Sequence, residues 1–344
     1  MAARPTLESV AMRAQVSRQT VSNVLNSPNI VRPDTAQRVR RAIADLDYRP
    51  SRAARQLRTR RSMTLGLRLE PDRGGINGSV LDRFLHAVVA GAQAAAYRVL
   101  LYTADDDVTE IAAYDDLLTG SDLDGFLLTS THHGDPRTAW LALRDIPFST
   151  FGRPWGAPER RHSWVDVDGA AGIAAAVAHL RARGHRRIAF LGWPAGSGVG
   201  DDRRAGWAAA VAEAGIADPR LDGRVDDDVE AGRQVARDLL ALSDPPSAVV
   251  CASDSLALGA YSAAAGRLAV TGFDDTPVAR AVGLTSVHQP LAEAAQRCLE
   301  QVFDVIADPH RPSRSALLLP SLTVRASTAQ PPDPAPLIEP RRIP

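Results

Sequence analysis

From residue 63 onward the chain repeats one pattern: a short apolar run that suits a buried strand, then an Ala-rich stretch long enough for a helix. This alternation restricts the fold most strongly, because strands joined through helices run parallel and need helices on both faces of their sheet. LGLRL (65–69), YRVLLYT (97–103), DGFLLTS (124–130) and FSTFG (148–152) make a first set of strands. WVDVD, RRIAFLG, SAVVCAS, LAVTGFD and TSVHQ make a second, with helices such as 80–96 and 169–183 between strands. Two sets imply an α/β body of two doubly wound parallel-sheet subdomains.

The first 48 residues follow a different rule and read as an all-α head of three short helices. Thr6 is placed to cap the first, whose inward stripe is Leu7, Val10, Ala11 and Ala14. Ser17 caps a second, in which Val21, Val24 and Leu25 recur at helical spacing and leave Arg18, Gln19, Ser22 and Asn23 outward. A third begins at Pro33, a favoured first-turn residue, and turns Val39, Ile43 and Leu46 inward. VAMRAQVSRQTVSNVLN (10–26) thus has the helix, tight turn and second helix that lay one helix in a DNA major groove.

Charge supports a polyanionic partner for the head alone. The formal net charge is zero, yet residues 1–62 carry 13 Arg against Glu8, Asp34, Asp45 and Asp47, a surplus of nine cations that the rest of the chain offsets. Every one of the 40 basic side chains is Arg, so a Walker A phosphate loop, which requires Lys, is excluded. The basic stretch RPSRAARQLRTRRS (49–62) has little core material and reads as a linker in which Ser51 caps a short helix.

Other classes find little support. MAARPTLESV lacks an apolar signal region and no stretch is long and apolar enough for a membrane span, so the expected location is the cytoplasm. Cys251 and Cys298 have no metal-ligand spacing. His132 and His133 adjoin in a loop with no third ligand in view, so neither a metal nor a cofactor is expected. There is no GxSxG, HExxH or CxxC, and GSGVG (196–200) stands outside a first Rossmann unit, so an enzyme is not expected.

TLESVAMRAQVSRQTVSNVLN followed by VRPDTAQRVRRAIADLDYRPSRAARQL resembles the head and hinge of the lactose/galactose-repressor (LacI-type) family. The likeness continues through GHRRIAFLG (184–192), DRRAGW (202–207), SDSLALGA (253–260) and VTGFDDTP (270–277). It implies a helix-turn-helix domain at 1–48, a hinge at 49–61, a periplasmic-binding-protein-like effector and dimerisation body at 62–328, and a Pro-rich disordered tail at 329–344. The first subdomain is expected at about 62–161 and 290–320, the second at about 162–289 and 321–328.

By position, the resemblance implies that Arg18, Gln19 and Asn23 reach base edges, and that Thr6, Ser17, Thr20, Ser22 and Asn26 hold phosphates. Leu57 matches a leucine wedged into the minor groove, with Ala53 and Ala54 small enough for two hinge helices to meet. The family commonly has Arg at the place of Asn23 and Gly at that of Gln15. In the body, Arg203 matches an effector contact, with Arg204 the fallback, and Asp274 matches a carboxylate that accepts from sugar hydroxyls. Trp164, Trp193, Thr129, Arg153 and Ser253 are further strand-end candidates, and Asp254 is expected to cap the next helix. The segment between Ala260 and Val270 is shorter than the family's, and no tetramer-forming leucine heptads are present.

The expected protein is therefore a homodimeric repressor of a near-palindromic operator, controlled by a sugar such as an oligosaccharide or β-glucoside. The alternatives are a sugar-binding protein of the periplasmic type without a transcriptional role, and a regulator that responds to a purine or sugar phosphate.

Overall fold

A computed structural model describes residues 5–48, 61–70, 76, 78–120, 123–156 and 162–329. The chain divides into two units, Met1–Ser62 and Met63–Pro344. In the first, α1 (Leu7–Ala14), α2 (Arg18–Asn26) and α3 (Pro33–Asp45) enclose a small core. The Ser9 amide donates to Thr6 Oγ1 at 3.2 Å while the Thr6 amide donates to Ser9 Oγ at 2.8 Å, a reciprocal cap that fixes the start of α1. Val10, Val21 and Val39, one from each helix, are fully buried, so the helical spacing in the sequence is what assembles the core. Gln15 ends α1 in the left-handed region (φ 52, ψ 52), the conformation that glycine adopts without steric cost. The hinge residues Ala53, Ala54 and Leu57 lie outside the described residues, as does the tail beyond Ala329.

The body holds two six-stranded sheets. The first is ordered β11–β5–β4–β3–β1–β2, from β1 (Thr64–Arg68), β2 (Arg98–Tyr102), β3 (Gly125–Leu128), β4 (Phe148–Phe151), β5 (Trp164–Val167) and β11 (Ser315–Leu318). All its pairings are parallel. The second is ordered β12–β10–β9–β8–β6–β7, from β6 (Ile188–Gly192), β7 (Asp222–Arg224), β8 (Ala248–Cys251), β9 (Ala269–Phe273), β10 (Thr285–His288) and β12 (Ser321–Thr323). Only the β10–β12 pair is antiparallel.

The intervening helices are α4 (Gly78–Ala94), α5 (Asp107–Gly120), α6 (Pro136–Ala142), α7 (Gly169–Ala182), α8 (Gly198–Glu213), α9 (Val229–Leu240), α10 (Asp254–Ala264), α11 (Pro277–Ala281) and α12 (Leu291–Ala307). Every residue of β3, β6, β8 and β9 is buried, as expected where helices cover both faces.

One strand changes sheet relative to the expectation. WVDVD was assigned to the second set, but β5 pairs with β4 and β11 in the first, so the chain crosses after Val167 rather than at residue 161. Nothing in a strand's own residues names its neighbour; here β4 and β11 offered the two free edges that cover it. The short segment after Ala260 is accommodated by closing α10 at two successive left-handed residues, Ala265 (φ 48) and Gly266 (φ 80). β9 then delivers Asp274 to its carboxyl end.

Candidate functional site

Parallel sheets gather ligand-binding groups beyond the carboxyl ends of their strands. In the body this edge brings together Arg203 from α8, Trp193 after β6, Asp274 after β9, and Arg153 after β4. Arg203 is the centre. Its Nη1 donates to the Ala252 carbonyl at 2.5 Å, its Nη2 stands 3.7 Å from Asp274 Oδ1, and its guanidinium carbon lies 3.6 Å above the Phe273 ring and 5.3 Å from that of Trp193. Burial lowers its pKa, against the pull of Asp274, Asp227, Asp166 and Asp202.

Asp274 sits on strained backbone (φ 107) and is followed by left-handed Asp275 (φ 48). Gln289 Nε2 donates to its Oδ1 at 2.7 Å. Burial pushes its pKa up to about 7, with Arg203 opposing and Asp254 assisting.

Groups from the two sheets meet across the cleft. Arg83 of α4 donates to the Asp274 carbonyl at 2.7 Å, and Arg153 reaches both Asp166 (2.6 Å) and Asp202 of α8 (3.4 Å). The Trp155 ring lies so close to Gly198 that a Cβ there would stand 2.3 Å from it. Four buried donors in this region have no hydrogen-bond partner among the described residues: Arg83 Nε, Trp155 Nε1, Trp193 Nε1 and Arg203 Nε. An unmet buried donor costs about 1–3 kcal/mol, so each of these would gain from an acceptor oxygen. Trp155, Arg83, Asp166 and Asp202 were not singled out in the sequence; the rule that selected Trp193, an aromatic just past a strand, would have selected Trp155.

The other candidates divide. Thr129 donates to Glu70 Oε1 at 3.0 Å at the carboxyl ends of β3 and β1, so it remains on the cleft edge. Ser253 is there too, but its hydroxyl caps α10 through the Leu256 amide and donates to Asp227 Oδ1 at 2.5 Å, which uses its proton internally. The cap is therefore Ser253, not Asp254. Asp254 is fully buried and instead accepts from Ser286 Oγ and the Thr276 amide. Trp164 is the first residue of β5 and so stands at its amino end, away from the carboxyl edge, whichever sheet the strand joins. Arg204 is held on Asp222 at 2.6 Å and does not stand in for Arg203.

His132 is not simply a solvated loop residue. Its Nε2 lies 2.9 Å from Asp107 Oδ2 and its Nδ1 3.9 Å from Asp135 Oδ2, so a third group was present after all. The cluster nevertheless has its cation: Arg137, almost fully buried, donates to both oxygens of Asp135 and stands 3.4 Å from Asp107.

In the head, α2 carries Arg18 and Gln19 exposed and Asn23 half-buried, on the side away from Val21 and Val24. Gln19 Nε2 donates to Asn23 Oδ1 at 2.9 Å. A hydroxyl has two lone pairs and one proton, so Thr6 caps α1 with a lone pair and its proton is left to donate. Ser17 likewise accepts from the Thr20 amide (3.1 Å), and its hydroxyl shares one hydrogen bond with that of Thr20 (2.9 Å), leaving the pair one outward proton. Ser22 is half-buried on the same helix, while the Asn26 side chain lies outside the described residues.

Residues 6–51 match the lacI family of bacterial regulatory proteins, and residues 177–328 match a periplasmic binding protein-like domain. A curated relative, the HTH-type transcriptional regulator CelR of Thermobifida fusca, is 35% identical over 326 residues, covering 90% of this chain and 95% of that protein. The chain belongs to the LacI family. Among solved LacI-family structures, a transcriptional regulator CelR–cellobiose complex is 31% identical (TM-score 0.69; 94% of this chain, 100% of that one). A lac repressor dimer bound to operator and the anti-inducer ONPF is 25% identical (TM-score 0.78; 95% and 99%). The protein is thus a transcriptional regulator with a helix-turn-helix head and an α/β sensor body, not an enzyme. Among the described residues no helix is long and apolar enough to cross a membrane.

Proposed function

We propose that this is a cytoplasmic, homodimeric repressor that binds a near-palindromic operator through α2 and leaves it when a β-linked glucose disaccharide of the cellobiose type enters the body's cleft. The observation that carries the effector class is the set of four buried donors without a partner among the described residues, Arg83 Nε, Trp155 Nε1, Trp193 Nε1 and Arg203 Nε, beside the carboxylates of Asp274, Asp166 and Asp202. A neutral polyol supplies acceptors to the former and donors to the latter. Two indole faces suit the apolar C–H faces of two pyranose rings. The similarity to a regulator solved with cellobiose points the same way.

In the head, Arg18, Gln19 and Asn23 read bases while Thr6, Ser17, Thr20, Ser22 and Asn26 hold the backbone in register. Leu57, with Ala53 and Ala54, wedges the central step open. Sugar that pulls the cleft together through Arg83, Arg153 and Trp155 changes the spacing of two bodies in a dimer, and operator affinity must change reciprocally with effector affinity.

The test is thermal denaturation of the full-length protein with cellobiose, other mono- and disaccharides, purine bases and sugar phosphates. A ligand of the folded state at 100 times its Kd stabilises by about 2.7 kcal/mol. Cellobiose is expected to raise Tm and release operator DNA, and Arg203→Ala is expected to keep operator binding and lose both effects. A rise with a purine or a sugar phosphate alone would overturn the sugar reading.

A further inference from the structure

The hydrogen bond from Gln19 Nε2 to Asn23 Oδ1 has a consequence for which base the head selects. Gln19 and Asn23 are four residues apart on α2, so their side chains stand one above the other on its outer face. A free glutamine amide rotates and presents oxygen and nitrogen interchangeably. Here one Nε2 proton is committed to Asn23, which orients the amide, leaving one N–H donor and the Oε1 acceptor to face outward. That pair of functions complements adenine, whose major-groove edge offers an N7 acceptor and an N6 donor; guanine offers two acceptors instead. Asn23 in turn accepts this bond with one of the two lone pairs of Oδ1. An Arg at this position, common in the family, has no acceptor with which to hold Gln19.

We infer that Asn23 is a positioning residue for base recognition: it fixes the Gln19 amide in the orientation that selects an A·T pair in each half-site. This deepens the reading of α2 as the major-groove helix and rests on it. The role differs from a base contact made by Asn23 itself, because its effect is read at the base pair beneath Gln19 and not only at its own.

Site selection from a random double-stranded DNA pool tests this with the full-length protein and three variants. Gln19→Ala identifies the base pair that Gln19 reads, as the position where preference is lost. At that position the parent is expected to prefer A·T by about tenfold, the scale of one bidentate contact. Asn23→Ala is expected to bring that preference to within about threefold. Asn23→Asp keeps an acceptor for Gln19 Nε2, so it is expected to bind all DNA more weakly through charge repulsion while retaining the A·T preference at the Gln19 position.

The proposal is overturned if Asn23→Ala leaves that preference intact, or if Asn23→Ala and Asn23→Asp abolish it alike. A parent that selects no sequence, or a Gln19→Ala variant that selects the parental site unchanged, would instead sink the major-groove reading itself.

Discussion

Asp274→Asn isolates the electrostatics at the centre of the cleft. Asn is nearly isosteric with Asp and still accepts from Gln289 Nε2, so packing and that 2.7 Å bond are preserved. What changes is the capacity to ionise. The carboxyl is held at about 7 in the folded protein against an ordinary value of 3.8, mainly by burial. Its folded pKa is raised, so between these values the native state binds the proton more tightly than the unfolded chain, and stability falls as pH rises through this window. At about 1.36 kcal/mol per pH unit the loss reaches about 4 kcal/mol at most. For a chain of this size, at roughly 2 °C per kcal/mol, the wild type should sit up to about 8 °C below the variant above pH 7.

The assay is the Tm of both proteins, without sugar, from pH 4 to pH 8. The difference should be near zero at pH 4, grow through pH 7 and then level off. A variant less stable than wild type at pH 8, or an offset independent of pH, would show that Asp274 is ionised in an ordinary ion pair with Arg203 and refute the reasoning.

Gly198→Ala places a methyl group 2.3 Å from the Trp155 ring, so the ring must move; cellobiose affinity measured by calorimetry should fall about tenfold or more while operator binding is unchanged. Gln15→Gly keeps the left-handed conformation and removes the cost of about 1 kcal/mol that it imposes on a side-chain-bearing residue, and the variant's head should show slower amide exchange in α1 and α2. Leu57→Ala should weaken operator binding in gel-shift titrations by about tenfold or more, since it forfeits the contact that a wedged and bent duplex supplies.

The head was legible almost residue by residue because its determinants are local. Thr6 and Ser17 cap the helices expected of them, and Val10, Val21 and Val39 are buried as their spacing required. In the body, the strand runs and the placement of Arg203 and Asp274 at the carboxyl edge were also readable. What failed was non-local. The sheet to which Trp164–Val167 belongs depends on β4 and β11, the latter about 150 residues downstream. Ser253 and Asp254 are both natural caps one residue apart; burial and the partners Ser286 and Thr276, distant in sequence, decide between them. Arg83 and Asp202 enter only because the fold brings groups beside one sheet against groups beside the other.

β11 ends at Leu318 and β12 begins at Ser321, yet the two strands close the edges of different sheets. On the ribosome, neither half of the sensor is complete until both have been synthesised, although most of each half has existed as nascent chain for far longer. The head, finished within the first few dozen residues, folds early by comparison. A message truncated upstream of residue 315 would therefore yield a chain with an intact DNA-reading module and two unfinished sheets, exposing strand edges that invite aggregation and degradation.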